Sequence, residues 1–134
     1  MRYLLDTNIC IYLIKNHPPE VPQQFRRHDP SRVAISTITI FELEYGAEKS
    51  SQRSLARKAL ARFIAPLGIL DPDLRAAREA ARIRAELERA GTPIGPYDLL
   101  IAGMAKSNNL ALVTNNTREF SRVDGLTLEN WVSA

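Results

Sequence analysis

Short apolar runs alternate along the chain with longer stretches of helical periodicity. Four of these runs are too short to form a helix and end at polar residues, which predicts buried strands over residues 3–5, 33–35, 67–70 and 110–113. A last strand is predicted around residues 125–128. Because strands and helices alternate, the pattern predicts an α/β fold, in which a parallel β-sheet is flanked by helices on both faces.

Capping residues and prolines indicate where helices begin after these strands. Asn8 is predicted to cap the first helix, and Ser36 or Thr37 the helix after the second strand. Asp71 is predicted to cap a later helix that has Pro72 at its first position. The helices that follow the first one are predicted over residues 40–48, 52–65, 74–90 and 97–107.

The composition changes this picture little. The chain has 134 residues, of which 45% are hydrophobic and 25% charged, so one globular domain over residues 1–134 is expected. Cys10 is the only cysteine, and His17 and His28 are the only histidines, which excludes an internal disulfide and a Cys/His zinc site. No apolar run approaches the ~20 residues needed to span a membrane, so we expect a cytoplasmic protein.

Polar side chains follow the predicted strands at the edge where ligands gather in a parallel sheet. Asp6 follows the first strand, and Glu42 lies in the helix after the second. Asp98 opens a helix after a Gly/Pro loop, and Asn116 follows the fourth strand. Burying a bare carboxylate costs several kcal/mol, and no Lys or Arg lies next to these acids. A hard divalent cation such as Mg²⁺ or Mn²⁺ would neutralise them, so the sequence predicts a metal site.

Each acid also has a purely structural interpretation. Asp6 fits a turn residue that caps the first helix, and Asp98 fits the N-cap of its own helix, a role compatible with metal binding. For Glu42 a surface ion pair is disfavoured, because the residues three and four positions away are not basic. Other chemistries lack suitable residues: neither histidine has a setting typical of a Ser/His/Asp triad, and Cys10 lies in an apolar stretch typical of an inert thiol.

Basic residues are concentrated in two helical segments. Those within residues 75–89 alternate with glutamates, which predicts a solvated, ion-paired helix face. Between Lys49 and Arg62 no acid compensates the basic residues, so this segment is the better candidate for contacts with phosphates. The net charge of +3 is compatible with such a polyanionic partner.

Four motifs together resemble a known family. They are LLDTNICIYL at residues 4–13, ISTITIFELEYG at 35–46, GTPIGPYDLLIAGMA at 91–105 and LVTNNTREF at 112–120. Their order, over essentially the whole chain, is similar to that in PIN-domain ribonucleases, and more specifically in the VapC toxins of type II VapBC toxin–antitoxin systems.

The resemblance implies a single α/β/α PIN domain that hydrolyses RNA with Mg²⁺ or Mn²⁺ and leaves a 5′-phosphate and a 3′-hydroxyl. By motif it assigns Asp6, Glu42 and Asp98 as acidic metal ligands, and it adds Asn116 as a further catalytic residue. Many PIN domains have an aspartate at the position of Asn116. The resemblance therefore leaves direct ligation to the three acids, with Glu119 as an additional carboxylate one turn further on.

The resemblance also implies partners. These are a VapB-type antitoxin whose C-terminal segment covers the acidic crevice, operator DNA that is reached only through the antitoxin, and a second copy of the chain in a homodimer. The first and third motifs resemble those of the toxins that cut initiator tRNA in its anticodon stem-loop.

Two other functions stay open at this point. A PIN-like module that binds RNA or an antitoxin with weak catalysis is compatible with the amide at Asn116. A phosphatase with an aspartyl nucleophile needs a second aspartate two residues after Asp6, where this chain has Asn8.

Overall fold

The computed structural model describes residues 1–132, and within this range five strands and seven helices follow the predicted alternation. The strands are β1 (Tyr3–Leu5), β2 (Val33–Ser36), β3 (Gly68–Leu70), β4 (Ala111–Val113) and β5 (Leu128–Glu129). The helices are α1 (Thr7–Lys15), α2 (Glu20–Phe25), α3 (Thr37–Lys49), α4 (Arg53–Ile64), α5 (Leu74–Arg89), α6 (Pro96–Ser107) and α7 (Thr117–Phe120). In the same range, no helix has the length and apolar content needed to cross a membrane.

The five strands form one sheet in the order β3-β2-β1-β4-β5, and every pair is parallel. Strand β1 is central, with Leu5 in register with Ile35 of β2 and with Val113 of β4. The carboxyl ends of these three strands therefore meet at one edge of the sheet. The parallel α/β fold predicted from the sequence is confirmed, and this edge is where the polar segments after the strands converge.

Two apolar cores cover the two faces of the sheet. Leu4 and Leu112 belong to one core, which packs against α5 and α6. Their strand neighbours Leu5 and Val113 belong to the other core, which packs against α1, α3 and α4. Side chains alternate between faces because successive residues of a strand point in opposite directions. The result is the three-layered α/β/α sandwich.

The first helix begins earlier than predicted. Asp6, not Asn8, is its N-cap, because Asp6 Oδ1 accepts a hydrogen bond from Ile9 N–H at 2.9 Å. Asn8 instead lies exposed in the first turn of the helix. The prediction of Ser36 as the next cap is confirmed, since its Oγ accepts from Thr39 N–H at 3.0 Å.

Two other helix starts also differ from the prediction. Asp73, not Asp71, caps α5 through a 2.9 Å hydrogen bond to its side chain from Ala76 N–H. Asp98 is the third residue of α6 and not its N-cap, which is Gly95. The carboxylate of Asp98 is therefore not committed to a capping bond.

Candidate active site

A crevice of about 420 Å³ opens at the carboxyl edge of the sheet. The structure brings together in its lining all four predicted site residues, which are Asp6, Glu42, Asp98 and Asn116. None of the described residues that line it is Lys or Arg. The crevice therefore collects carboxylates without a basic side chain to balance them.

Asp6 is the most deeply buried of the acids, with only 5% of its surface exposed. Asp6 lies between β1 and α1. Its backbone N–H donates to the carbonyl oxygen of Val113 in β4, and its side chain caps α1. Thr114 Oγ1 donates to the second carboxylate oxygen. Burial raises the pKa of Asp6 from 3.8 to about 6, against the lowering effect of these hydrogen bonds, and the charges of Asp98 and Glu42 raise it further.

Glu42 is held in place by a chain of hydroxyl groups. Thr7 Oγ1 donates to Glu42 Oε1 at 2.8 Å. The Oγ1 atoms of Thr7 and Thr39 are 3.1 Å apart, and Ser36 Oγ lies 3.3 Å from Thr39 Oγ1. Since a carboxylate only accepts, Thr7 uses its single proton on Glu42 and must accept from Thr39. The carboxylate therefore sets the direction of every bond in this chain.

Asp98 enters the crevice from the first turn of α6, where the helix dipole favours a negative charge. Burial nevertheless raises the pKa of its carboxyl, and the negative charges of Glu119 and Glu42 raise it further. Four carboxylates are thus close enough to influence one another's charge. Their mutual repulsion is the condition that a divalent cation relieves.

Asn116 lies beside this group at the start of α7. Its backbone N–H donates to Thr114 Oγ1 at 2.9 Å, and its side-chain Nδ2 donates to Glu119 Oε2 at 3.1 Å. Asn116 thereby connects Thr114, which supports Asp6, to Glu119, whose charge acts on Asp98. Because its nitrogen is used on Glu119, the atom that it has to offer a cation is the amide oxygen.

The chemistry of this donor set fits a hard divalent cation. Every donor is a carboxylate or amide oxygen, the type of ligand that Mg²⁺ and Mn²⁺ prefer. Within residues 1–132, no three Asp, Glu, His or Cys side chains lie close enough together, as they stand, to hold a metal ion. Asp6 is fixed by two side-chain hydrogen bonds and Glu42 by one from Thr7, and both Glu42 and Asp98 are only half-buried. The site is thus an open arrangement of oxygen ligands around one rigid acid.

Several residues at the site were not singled out from the sequence. Thr114 is fully buried, and Thr7 and Thr39 supply the hydroxyl chain to Glu42. Thr7 follows Asp6 directly and Thr39 lies three residues before Glu42, whereas Thr114 has no acid within four positions in the sequence. The rim also carries exposed aromatic side chains, of which Phe41 and Tyr97 each stand directly before an acid in the sequence.

The segment between Lys49 and Arg62 does not have the uncompensated charge that the sequence suggested. Arg57 pairs with Glu48, the residue just before the segment, and Arg53 lies 3.9 Å from the same carboxylate. The turn between α3 and α4 brings these side chains together. By contrast, the ion-paired face predicted for α5 is present, with Arg82 on Glu79 and Arg84 on Glu88.

Comparisons with known proteins agree with the fold. The family profile described as PIN domain matches residues 3–126. The chain is 50% identical over 133 residues to the tRNA(fMet)-specific endonuclease VapC of Salmonella typhimurium, with 98% of each chain covered. It is 47% identical over 131 residues to the protein of the same name from Shigella flexneri, again with 98% of each covered.

Solved structures give the same result. A chain in the crystal structure of DNA-bound VapBC from Salmonella typhimurium superimposes with a TM-score of 0.91 at 48% identity, with 98% of each chain covered. A chain of VapBC2 from Rickettsia felis, bound to a DNA fragment from its promoter, also gives 0.91 at 40% identity, covering 98% of this chain and 99% of that one. The chain therefore belongs to the PIN-domain family and, within it, to the VapC proteins.

Proposed function

We propose that this chain is the toxin of a toxin–antitoxin pair, an endoribonuclease that hydrolyses RNA phosphodiester bonds with the help of a divalent metal ion, Mg²⁺ or Mn²⁺. The observation that carries the proposal is the convergence of Asp6, Glu42 and Asp98, from three separate elements, in one crevice whose described lining has no basic residue. The printed names of the relatives, endonuclease and ribonuclease VapC, support the same class of reaction.

In this proposal Asp6, Glu42 and Asp98 hold the metal ion. Such an ion, when bound, polarises the phosphodiester, lowers the pKa of a water molecule and stabilises the negative charge that develops. Asp6 acts as the fixed anchor because Ile9 N–H and Thr114 hold both of its oxygens. Its raised pKa reflects burial and nearby negative charge, both of which disfavour the charged carboxylate and would be offset by a bound cation.

Glu42 and Asp98 have a different part in the proposed mechanism. Both are half-buried in the lining of the crevice, where they would hold the metal ion from α3 and α6. Thr7 orients the Glu42 carboxylate by donating a hydrogen bond to its Oε1. Asn116 and Glu119 orient one another on the remaining side, and we assign Asn116 a polar contact at the reaction site, not the role of a principal metal ligand.

We further propose that the RNA is initiator tRNA, cut in its anticodon stem-loop. The support is the identity of 50% and 47% to two proteins named tRNA(fMet)-specific endonuclease, across nearly the whole of each chain. The basic helix α4 lies outside the crevice, and its Arg62 has no acidic partner among the described ion pairs. Such a side chain is suited to a backbone phosphate away from the cut.

The proposed protein partner is a VapB-type antitoxin. An apolar groove of about 370 Å³ lies between α1, α3 and α4, lined by Ile14, Leu43 and Leu60. Ile11 and Glu42 line both this groove and the acidic crevice, so a segment bound in the groove leads directly to the acids. The VapBC structures support this partner, and the DNA in two of them supports an operator reached through the antitoxin. We also propose a homodimer, as the resemblance implies.

The test is to incubate the purified chain with total tRNA, with and without Mg²⁺ or Mn²⁺, and to map both ends of the fragments. We expect cleavage only with metal, 5′-phosphate and 3′-hydroxyl ends, and no cleavage by the Asp98→Asn variant. Products that end in a 2′,3′-cyclic phosphate contradict hydrolysis by metal-activated water. If neither Mg²⁺ nor Mn²⁺ supports cleavage of any tRNA, the result favours the alternative function, a module that binds RNA or an antitoxin and has an amide at Asn116.

A further inference from the structure

Three aromatic side chains on the rim of the acidic crevice are unusually exposed. Phe41 is 56% exposed, Tyr45 58% and Tyr97 46%, and all three line the crevice itself. Single exposed apolar residues are common on protein surfaces and need no explanation. Three rings around one group of carboxylates form a feature of the site, because any ligand that reaches the acids must pass beside them.

Phe41 and Tyr97 form a pair across the mouth of the crevice. They come from α3 and α6, the two helices that carry Glu42 and Asp98, and each ring directly precedes its acid in the sequence. The ring centroids are 5.8 Å apart with planes at 74°, an edge-to-face contact. In an edge-to-face contact one of the two rings is contacted only at its edge. Both faces of that ring are therefore left free of the other ring.

Tyr45 differs from this pair. Lys49 Nζ lies 4.9 Å from the centre of its ring, so a cation already covers one face. Tyr45 and Lys49 therefore form a charged contact at the edge of the rim. Phe41 and Tyr97 are the two rings whose faces suit a flat, uncharged ligand.

The chemistry of the crevice identifies that ligand class. The proposed substrate carries a planar base on the sugar next to every phosphate, so a phosphodiester at the acids brings bases to the rim. A base inside a duplex is already stacked and paired, whereas an unpaired base is free to stack on a protein ring. A protein partner is better served by the continuous aliphatic groove between α1, α3 and α4 than by rings interleaved with acids.

We propose that Phe41 and Tyr97 form a stacking platform for an unpaired nucleobase beside the scissile phosphate, so that the site selects single-stranded or loop RNA over duplex RNA. This inference rests on the proposed ribonuclease function, since it places the scissile phosphate at the acids. In this inference the two rings discriminate between single-stranded and duplex RNA, which the carboxylates alone do not do.

The test separates binding from cleavage. In the Asp98→Asn background with EDTA, where one negative charge of the crevice is removed and no cleavage is expected, a short RNA containing 2-aminopurine is titrated and its fluorescence quenching is measured. The same RNA annealed to its complement serves as the duplex probe. We expect the single strand to bind more tightly and to be quenched, because stacking on a ring quenches this base.

Phe41→Leu and Tyr97→Leu keep apolar bulk but remove the ring, and we expect each to weaken single-strand binding about tenfold while changing duplex binding less than twofold. Tyr97→Phe keeps the ring and should bind like the parent. If the leucine variants bind the single strand as the parent does, the platform is overturned. If they change only self-association in sedimentation, the platform is also overturned, and the rim is a contact between protein chains.

A cleavage assay separates this inference from the proposed function. With Mg²⁺ or Mn²⁺ and the otherwise unaltered chain, the leucine variants should raise KM for single-stranded RNA about tenfold with kcat within about twofold. Absence of RNA cleavage by the unaltered chain overturns the proposed function and leaves the binding result to be judged by itself. Cleavage with KM unaffected by both leucine variants overturns the platform alone.

Discussion

Thr114 Oγ1 donates a hydrogen bond to Asp6 Oδ2 and so joins the ends of β4 and β1 across 108 positions of sequence. Ile9 N–H donates to the other oxygen of the same carboxylate. Both bonds favour the charged form, but burial outweighs them and raises the pKa of Asp6 to about 6. In the metal-free protein this side chain is therefore ionised at neutral pH at a cost to the stability of the fold.

The first prediction concerns that cost. In EDTA at neutral pH, Asp6→Asn should increase the free energy of unfolding by roughly 1–3 kcal/mol. The upper limit is the free energy that corresponds to the rise in the pKa of Asp6. Asparagine preserves the cap, since its oxygen accepts from Ile9 N–H and its NH₂ group can donate to Thr114. The same variant should lose RNA cleavage. Urea unfolding followed by circular dichroism measures the stability.

The pH dependence gives the control. Between pH 3.8 and about 6 the native state binds more protons at Asp6 than the unfolded state does, so the stability due to this group is present below pH 3.8 and lost as the pH rises through about 6. The gain in the free energy of unfolding from Asp6→Asn should therefore disappear at about pH 4. Asp6→Ala, which removes the cap, should be destabilising in acid. An equal gain at both pH values would contradict the assignment.

The sequence predicted the fold well because apolar runs and caps are local features. All five strands were predicted, and the last one, predicted around residues 125–128, lies at Leu128–Glu129. Helices α2 and α7 were not predicted, since six and four residues are too short to show a period. The cap was predicted at Asp71 instead of Asp73 because Asp71 followed by Pro72 is also a good local start signal for a helix.

The three acids were identified from the sequence, but their supports were not. Thr114 and Thr7 are threonines that look like ordinary strand-end and helix-start residues until the fold brings them to Asp6 and Glu42. The pair between Arg57 and Glu48 likewise depends on the turn after α3. Contacts between residues far apart in sequence are set by the tertiary structure, which no local pattern encodes.

The second prediction concerns the hydroxyl chain. Thr7→Val keeps the shape of the side chain but removes the donor to Glu42, and a hydrogen bond to a charged group contributes about 1.5–3 kcal/mol. We expect the rate of RNA cleavage to fall roughly tenfold and the stability to fall by about 1–3 kcal/mol, because the buried hydroxyl of Thr39 loses its acceptor. Thr7→Ser restores the donor and should restore cleavage. If valine and serine behave alike, the chain does not position Glu42.

The third prediction concerns the metal ion. A ligand that binds only the folded state stabilises it by mass action, by about 2.7 kcal/mol at 100 times its Kd. Mg²⁺ or Mn²⁺ should therefore raise the melting temperature of the unaltered chain, and EDTA should reverse the rise. NaCl at matched ionic strength controls for screening. The Asp98→Asn variant should show a much smaller rise, and an equal rise in both proteins would exclude Asp98 as a ligand.

The fourth prediction concerns the apolar groove. Gly46 lines it, is exposed on α3, and has no atom within 4 Å of the place where a Cβ would lie. Gly46→Leu should fill the groove and weaken inhibition by the antitoxin at least tenfold while leaving RNA cleavage in place. Gly46→Ala is the matched control and should remain inhibited. Inhibition of the leucine variant at the original antitoxin concentration would place the antitoxin elsewhere.

The fifth prediction concerns Gly103, where α6 packs closely against α5. A Cβ there would lie 2.7 Å from the backbone oxygen of Ala76 and 2.9 Å from the backbone nitrogen of Ala80. Because backbone atoms cannot move aside cheaply, Gly103→Ala should destabilise the fold by about 1–3 kcal/mol, although alanine is the better helix former.

The matched substitution Gly46→Ala meets open space and should be stabilising by about 0.5–1 kcal/mol. Urea unfolding of the two variants under the same conditions compares the two sites directly. Displacement of α6 also moves Asp98, so Gly103→Ala should reduce cleavage even where it is still fully folded. If it destabilises the chain without changing the cleavage rate of the folded fraction, then the position of Asp98 does not depend on this helix contact.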